Sequence, residues 1–203
     1  MIQLSHIGET LLAQMLSDSE SVRNSLFGGF VSSSQPNTFV PELRLNKCGA
    51  VDFDGVHKID VAALCPETGI CYPIEVKMGF DRLGRNEFEK RFLGECGTSH
   101  GNTRVKGSMI SILEGKLPQP CKGQVLTVSW QGQQFTVSPL WVLVARKSVT
   151  KKWKASKAPR LSSNCHVIDF EHLVEVYGSA HEFNLLVGRL INVDFFTKWQ
   201  CGT

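Results

Sequence analysis

With 203 residues, 42% apolar and 20% charged, the chain is long enough for one domain with a good-sized core. That ordinary composition excludes a fibrous or disordered protein. No apolar run approaches a membrane span and the first residues lack the plan of a signal peptide, so a cytoplasmic protein without a membrane partner is expected. The seven cysteines include no Cys-x-x-Cys pair, which argues for free thiols rather than disulfides or a zinc site, and a net charge of +3 names no partner by itself.

Residues 5–17 predict an amphipathic helix with Ser5 as N-cap and Ile7, Leu11, Leu12, Met15 and Leu16 as its apolar stripe. Glu9 lies at the edge of that stripe, about 20° from Leu16 at roughly 100° per residue. It is either a first-turn acid favouring the helix dipole or a group that reaches inward. Residues 18–38, rich in Ser, Gly and Asn, read as loop. Phe39–Leu45 reads as a strand and carries Pro41-Glu42.

The most informative stretch is 56–77, VHKIDVAALCPETGICYPIEVK: two alternating runs around a Pro-Glu-Thr-Gly turn. With 66–69 as a four-residue loop, Cys65 pairs with Ile70, and the antiparallel register sets Asp60 opposite Glu75 and Lys58 opposite Lys77. Alternation then puts Asp60, Glu75 and Lys77 on one face, and His57 on the other. Two carboxylates opposed in a ladder repel. A divalent cation between them would turn that repulsion into a ligand set, with the Val76 carbonyl as a further oxygen donor.

Beyond Lys77, a basic helix is expected around residues 85–93, with Arg82, Arg85, Lys90 and Arg91 solvated, and then a glycine-rich loop over 94–107 containing His100. Met109–Leu113 is ambiguous between helix and strand. Runs 125–130 and 133–137 flank Gln131-Gly132 as a second hairpin, read as an appendage. Leu140–Ala145 is continuously apolar, as in a strand covered on both faces. Residues 146–160 (RKSVTKKWKASKAPR) hold seven basic residues and no acidic one. Arg146, Lys147, Lys151, Lys152, Lys154, Lys157 and Arg160 are candidate phosphate contacts, and Trp153 among them is a candidate for stacking on a base. A solvated surface loop is the plainer reading. Cys165–Phe170 reads as a strand, Glu171–Tyr177 as a short helix, and Ser179-x-x-Glu182 as the capping box of a last helix.

Asp60 followed by Glu75-Val76-Lys77, within helix, three-stranded meander, helix and buried strand, resembles the PD-(D/E)XK nuclease superfamily, the restriction-endonuclease-like fold. The resemblance covers roughly residues 5–93 and 140–177 and is one of motif and element order. It implies Asp60 and Glu75 as ligands of Mg²⁺ (or Mn²⁺) and Lys77 as the catalytic lysine. Several members use a glutamate on the first helix, where Glu9 stands. Ile59 replaces the proline of the family name, and Glu42 is a competing Pro-acid element, held as an outer ligand.

The chain is therefore expected to be a single α/β domain over 1–203 with a mixed sheet and an insertion at about 94–138. Its elements would run helix, antiparallel meander, helix, buried strand, strand, helix. The expected activity is Mg²⁺-dependent hydrolysis of DNA phosphodiesters by an endonuclease, with RNA also open as substrate. A homodimer would supply two sites for two strands. The alternative is a non-catalytic nucleic-acid-binding module on the same fold.

Overall fold

A computed structural model describes residues 4–29, 31, 35–48, 57–79, 97–98, 105–106, 108–117, 121–155, 161–179 and 181–190. The expected basic helix near 85–93, His100, Lys157 and Arg160 lie outside them. Helix α1 spans Leu4–Asp18, one residue ahead of the expected Ser5 cap. A second helix, α2 (Glu20–Phe27), occupies part of the segment read as loop. The Ser19 hydroxyl accepts from the Val22 N–H and starts it. Val22, Leu26 and Phe27 are wholly buried beneath it, and full burial of a side chain of this size contributes about 2 kcal/mol.

Strands β1 (Thr38–Arg44), β2 (Lys58–Cys65) and β3 (Ile70–Lys77) form the antiparallel meander. The turn 66–69 is as expected: Gly69 takes a left-handed φ of 66° and its N–H bonds the Cys65 carbonyl at 2.9 Å. Cys65↔Ile70, Leu64↔Cys71 and Ala62↔Pro73 are the register partners, and the β2–β3 ladder runs to Val61↔Ile74.

Two-residue strands β4 (Gly97–Thr98) and β5 (Val105–Lys106) make a separate small sheet. Met109–Leu113 is a short helix, α3. The hairpin β6 (Thr127–Trp130) and β7 (Gln133–Val137) is not an appendage. β7 pairs in parallel with the start of β3, and β8 (Trp141–Ala145) pairs in parallel with its end. β9 (Cys165–Asp169) then pairs in parallel with β8. The result is a mixed α/β fold around one seven-stranded sheet. A Leu45↔Val128 bridge brings β6 back to the end of β1, so β1, β2, β3, β7 and β6 curl around a core that includes Leu43, Leu64, Val128 and Phe135.

Helices cover both sides. α1, α2, α5 (Phe170–Tyr177) and the last helix α6 (181–190) pack on Val61, Tyr72, Ile74, Val76, Val142 and Val144. The capping box of α6 is formed: the Glu182 N–H bonds the Ser179 hydroxyl, and the Ser179 N–H bonds the Glu182 carboxylate at 2.7 Å. On the other side, α4 (Lys147–Ala155) folds over Trp141, Leu143 and Ala145. Helix α4 replaces the expected basic loop, and the reason is the four-residue spacing of Val149 and Trp153, which gives it an apolar face. Helix α1 approaches β3 closely at Gly8, where a Cβ would stand 3.1 Å from Met78 Cγ and 3.7 Å from Val76 Cγ1. That approach carries the neighbouring Glu9 to the end of β3. No helix among the described residues is long and apolar enough to cross a membrane.

Candidate active site

One irregularity in the β1–β2 ladder opens the site. Partners run Val40↔Ala62 and Pro41↔Val61, then resume at Leu43↔Ile59, leaving Glu42 and Asp60 between them without a Cα pairing. Glu42 adopts a left-handed φ of 55°, which costs a non-glycine residue about 1 kcal/mol. The side-chain alternation slips there in both strands. Val40 and Leu43 fall in one apolar cluster, as do Ile59 and Ala62, although a strict period of two would separate each pair. Glu42 and Asp60 are thereby released from the pleat, at the point where the β2–β3 ladder also ends.

Into this opening the Asp60 carboxylate turns towards β3. Its Oδ2 accepts the Val76 N–H at 2.7 Å and the Lys77 ammonium at 2.8 Å. Lys77 Nζ also donates to Glu75 Oε2 at 2.8 Å and to the Val76 carbonyl at 3.4 Å. Asp60, Glu75, Val76 and Lys77 are thus brought together. Glu75 is buried to 1% of its surface, and its second oxygen, Oε1, has no hydrogen-bond partner among the described residues. Burial first, and then the Asp60 charge, push Glu75 above the usual carboxylate range, while Lys77 and the Asp60 backbone N–H pull it back. Burial disfavours the Lys77 ammonium, but the Glu75 and Asp60 carboxylates outweigh that and raise its pKa.

Glu9 arrives from α1 and is 7% exposed. It is pushed up to about 7, by burial first and then by the Asp60 and Glu42 carboxylates, against the lowering influence of Lys77 and Lys58. Of the two readings of Glu9, the inward one matches this position. Glu42 lies at the rim, its Oε1 3.2 Å from Lys58 Nζ. Lys58 was not singled out from the sequence as a site residue, and the expected pairs Asp60↔Glu75 and Lys58↔Lys77 lie beyond the observed β2–β3 ladder, which ends at Val61↔Ile74. His57 is 2% exposed.

The raised pKa of Glu9 makes a measurable statement about stability. Because its folded pKa exceeds the ordinary 4.5, the folded state holds the proton more tightly than the unfolded chain. Its stabilising contribution is whole below about pH 4.5 and is lost as the pH rises to about 7. In EDTA, Glu9→Gln is expected to flatten this decline and to exceed wild type by about 2 kcal/mol at pH 8. Urea midpoints at pH 5 and pH 8 check it; parallel pH profiles for the two proteins would contradict the inward placement of Glu9.

The donors fit a hard dication in part. No group of three or more His, Cys, Asp or Glu among the described residues forms a ready-made metal cage. Asp60 and Glu75 nonetheless bond through Oδ2 and Oε2, which leaves Oδ1 and Oε1 outside these bonds. One or two carboxylates completed by water is the ordinary protein contribution to Mg²⁺ binding.

The basic segment divides by burial. Arg146, Lys147, Lys151 and Lys154 are exposed, and Lys152 is half-buried. Arg146 Nε lies 3.6 Å from Glu171 Oε1. Trp153 is 8% exposed and packs with Trp141, Leu143 and Val149. The expectation of a free aromatic ready to stack on a base is therefore corrected: Trp153 lies on the apolar side of α4 and serves the core.

Comparison of the chain with protein-family models, curated proteins and solved structures finds no match.

Proposed function

We propose that the protein is a metal-dependent nuclease that hydrolyses DNA phosphodiester bonds as an endonuclease. The observation that carries this reading is the buried Glu75 carboxylate, with Oε1 unpartnered beside Asp60 and Lys77. A carboxylate so placed, facing a second carboxylate, is costly as a purely structural feature. It becomes intelligible as a ligand held ready for a cation. The strand order, an antiparallel meander followed by two strands parallel to β3, supports the restriction-endonuclease-like fold that the sequence resembles.

In this reading Asp60 and Glu75 hold Mg²⁺ or Mn²⁺, with the Val76 carbonyl as an additional oxygen at the site. When bound, the metal would neutralise charge on the phosphate and favour attack by water. Lys77, whose pKa is raised, remains an ammonium. It donates a hydrogen bond that orients the attacking water or meets charge developing on the phosphate, and it does not accept the proton. Glu9, near half-ionised at neutral pH, is the group best matched to take that proton. Exposed Lys147, Lys151 and Lys154, spaced four and three apart on α4, would contact the phosphate backbone.

The test is cleavage of supercoiled plasmid, linear DNA and RNA with Mg²⁺ or Mn²⁺, against EDTA. Metal-dependent relaxed circles are expected, and linear products would fit two copies acting on two strands. Absence of metal-dependent cutting on every substrate would refute the reading. One observation favours the second reading, a non-catalytic nucleic-acid-binding module: Lys77 alone already bridges both carboxylates. Calorimetry separates the two, since such a module would bind DNA without taking up Mg²⁺ through Asp60 and Glu75.

A further inference from the structure

Two rows of side chains connect the candidate site to the opposite margin of the sheet. Glu75 of β3 is the register partner of Leu143 of β8, and Leu143 of Val167 of β9. In the next row Lys77 partners Ala145, and Ala145 partners Asp169. Register partners share a face. Val167 and Asp169 therefore stand on the same face as Glu75 and Lys77, two strands away, which is about 10 Å at the usual strand spacing. That distance is about three stacked steps along one nucleic-acid strand. Lys77, Ala145 and Asp169 are the last residues of the mutually parallel strands β3, β8 and β9, and open α/β sheets place their ligands at such carboxyl ends.

At this margin, among α4, β9 and the first turn of α5, there is a cleft of about 470 Å³ lined by Thr150, Trp153, Lys154, Val167, Asp169 and His172. Its size suits a mononucleotide. Asp169 is the N-cap residue of α5, yet its side chain makes no cap hydrogen bond, the bond for which an aspartate is ordinarily favoured there. Its Oδ1 instead accepts the Thr150 hydroxyl at 3.0 Å, and its Oδ2 takes no hydrogen bond among the described residues. Lys154 is exposed and makes no ion pair among the described residues. Val167 and the remaining edge of Trp153 give the cleft an apolar wall.

We propose that this cleft receives one unpaired nucleotide of the substrate strand. Its base lies against the Val167 wall and donates an amine hydrogen to Asp169 Oδ2, while Lys154 meets its phosphate. The inference rests on the nuclease reading and narrows it to DNA with an unpaired nucleotide near the cut, such as a flap, gap or bulge. A base held in a duplex stack does not present itself to a cleft between two helices, whereas an unpaired one does so at little cost. A carboxylate acceptor further favours cytosine, whose amine offers an outward N–H, over thymine, whose one base N–H is flanked by two carbonyl oxygens that repel the carboxylate.

The test uses the full chain without metal, titrated with dCMP, dTMP and deoxyribose 5-phosphate and followed by NMR. Binding of dCMP is expected to be about tenfold tighter than that of dTMP or the base-free phosphate, with shifts centred on Asp169 and His172. Asp169→Asn keeps an oxygen acceptor for Thr150 and should erase the preference for dCMP. Val167→Trp fills the cleft and should abolish binding. Equal affinity for dCMP and the base-free phosphate, shifts centred on Asp60 and Lys77, or unchanged dCMP binding in Asp169→Asn would overturn the proposal. No cleavage is read in these titrations. A protein that cuts DNA but fails them refutes the cleft alone, and a protein that passes them but never cuts refutes the nuclease reading alone.

Discussion

Replacing Lys77 by methionine is expected to lower DNA cleavage by about 10³-fold, the usual cost of removing a preorganised donor from a reacting centre. The same change should destabilise the metal-free protein by about 3–5 kcal/mol at pH 8, because it leaves a buried charge without its partner. Methionine preserves most of the stem volume, so the loss reports charge rather than a cavity. The pH dependence follows from the groups that remain. Without Lys77, burial and Asp60 both favour the protonated form of Glu75. As the pH falls, Glu75 takes up a proton and the penalty fades, so variant and wild type should converge towards pH 5. Urea unfolding at pH 5 and pH 8 measures this directly. An equal loss of stability at both would assign the effect to packing and remove the basis for a charged triad.

Asp60→Asn should remove the response to divalent metal while leaving the fold in place. The amide oxygen can still accept the Val76 N–H that Asp60 Oδ2 now holds at 2.7 Å. Wild type at a metal concentration one hundred times its Kd should gain about 2.7 kcal/mol of stability, and the variant almost none. Cleavage should fall to background. Equal metal-induced shifts in melting temperature would take Asp60 out of the metal site, and wild-type cutting by Asp60→Ala would end the proposal that this site carries the reaction.

The hairpin that bears Asp60, Glu75 and Lys77 was legible because a Pro-Glu-Thr-Gly turn between two alternating runs fixes the register with little freedom. The doubly covered strand β8 was legible from its unbroken apolar run. Helix α2 was not, because Ser, Asn and Gly mask its Val22 and Leu26 spacing. Trp153 was misread through its charged neighbours, although Val149 four residues earlier was the available sign of an inward face. The left-handed Glu42 and the slipped alternation at Asp60 had no signature in residue type, since a glutamate and an aspartate in alternating runs look like ordinary strand positions. Asp169 escaped notice for a similar reason. An acid before a helix reads as a cap, and only the folded structure reveals that it turns to Thr150 instead.

The four-residue turn at 66–69 has a consequence for how the site is assembled. Asp60, Glu75 and Lys77 sit on the two arms of one hairpin, so their mutual contacts span a short loop and form without waiting for the rest of the chain. Glu9 belongs to a separate piece of chain and joins only when α1 docks through Gly8 on Val76 and Met78. Fraying of α1 would withdraw Glu9 while the hairpin triad stayed intact. The order of assembly would then be Asp60, Glu75 and Lys77 first, with Glu9 last.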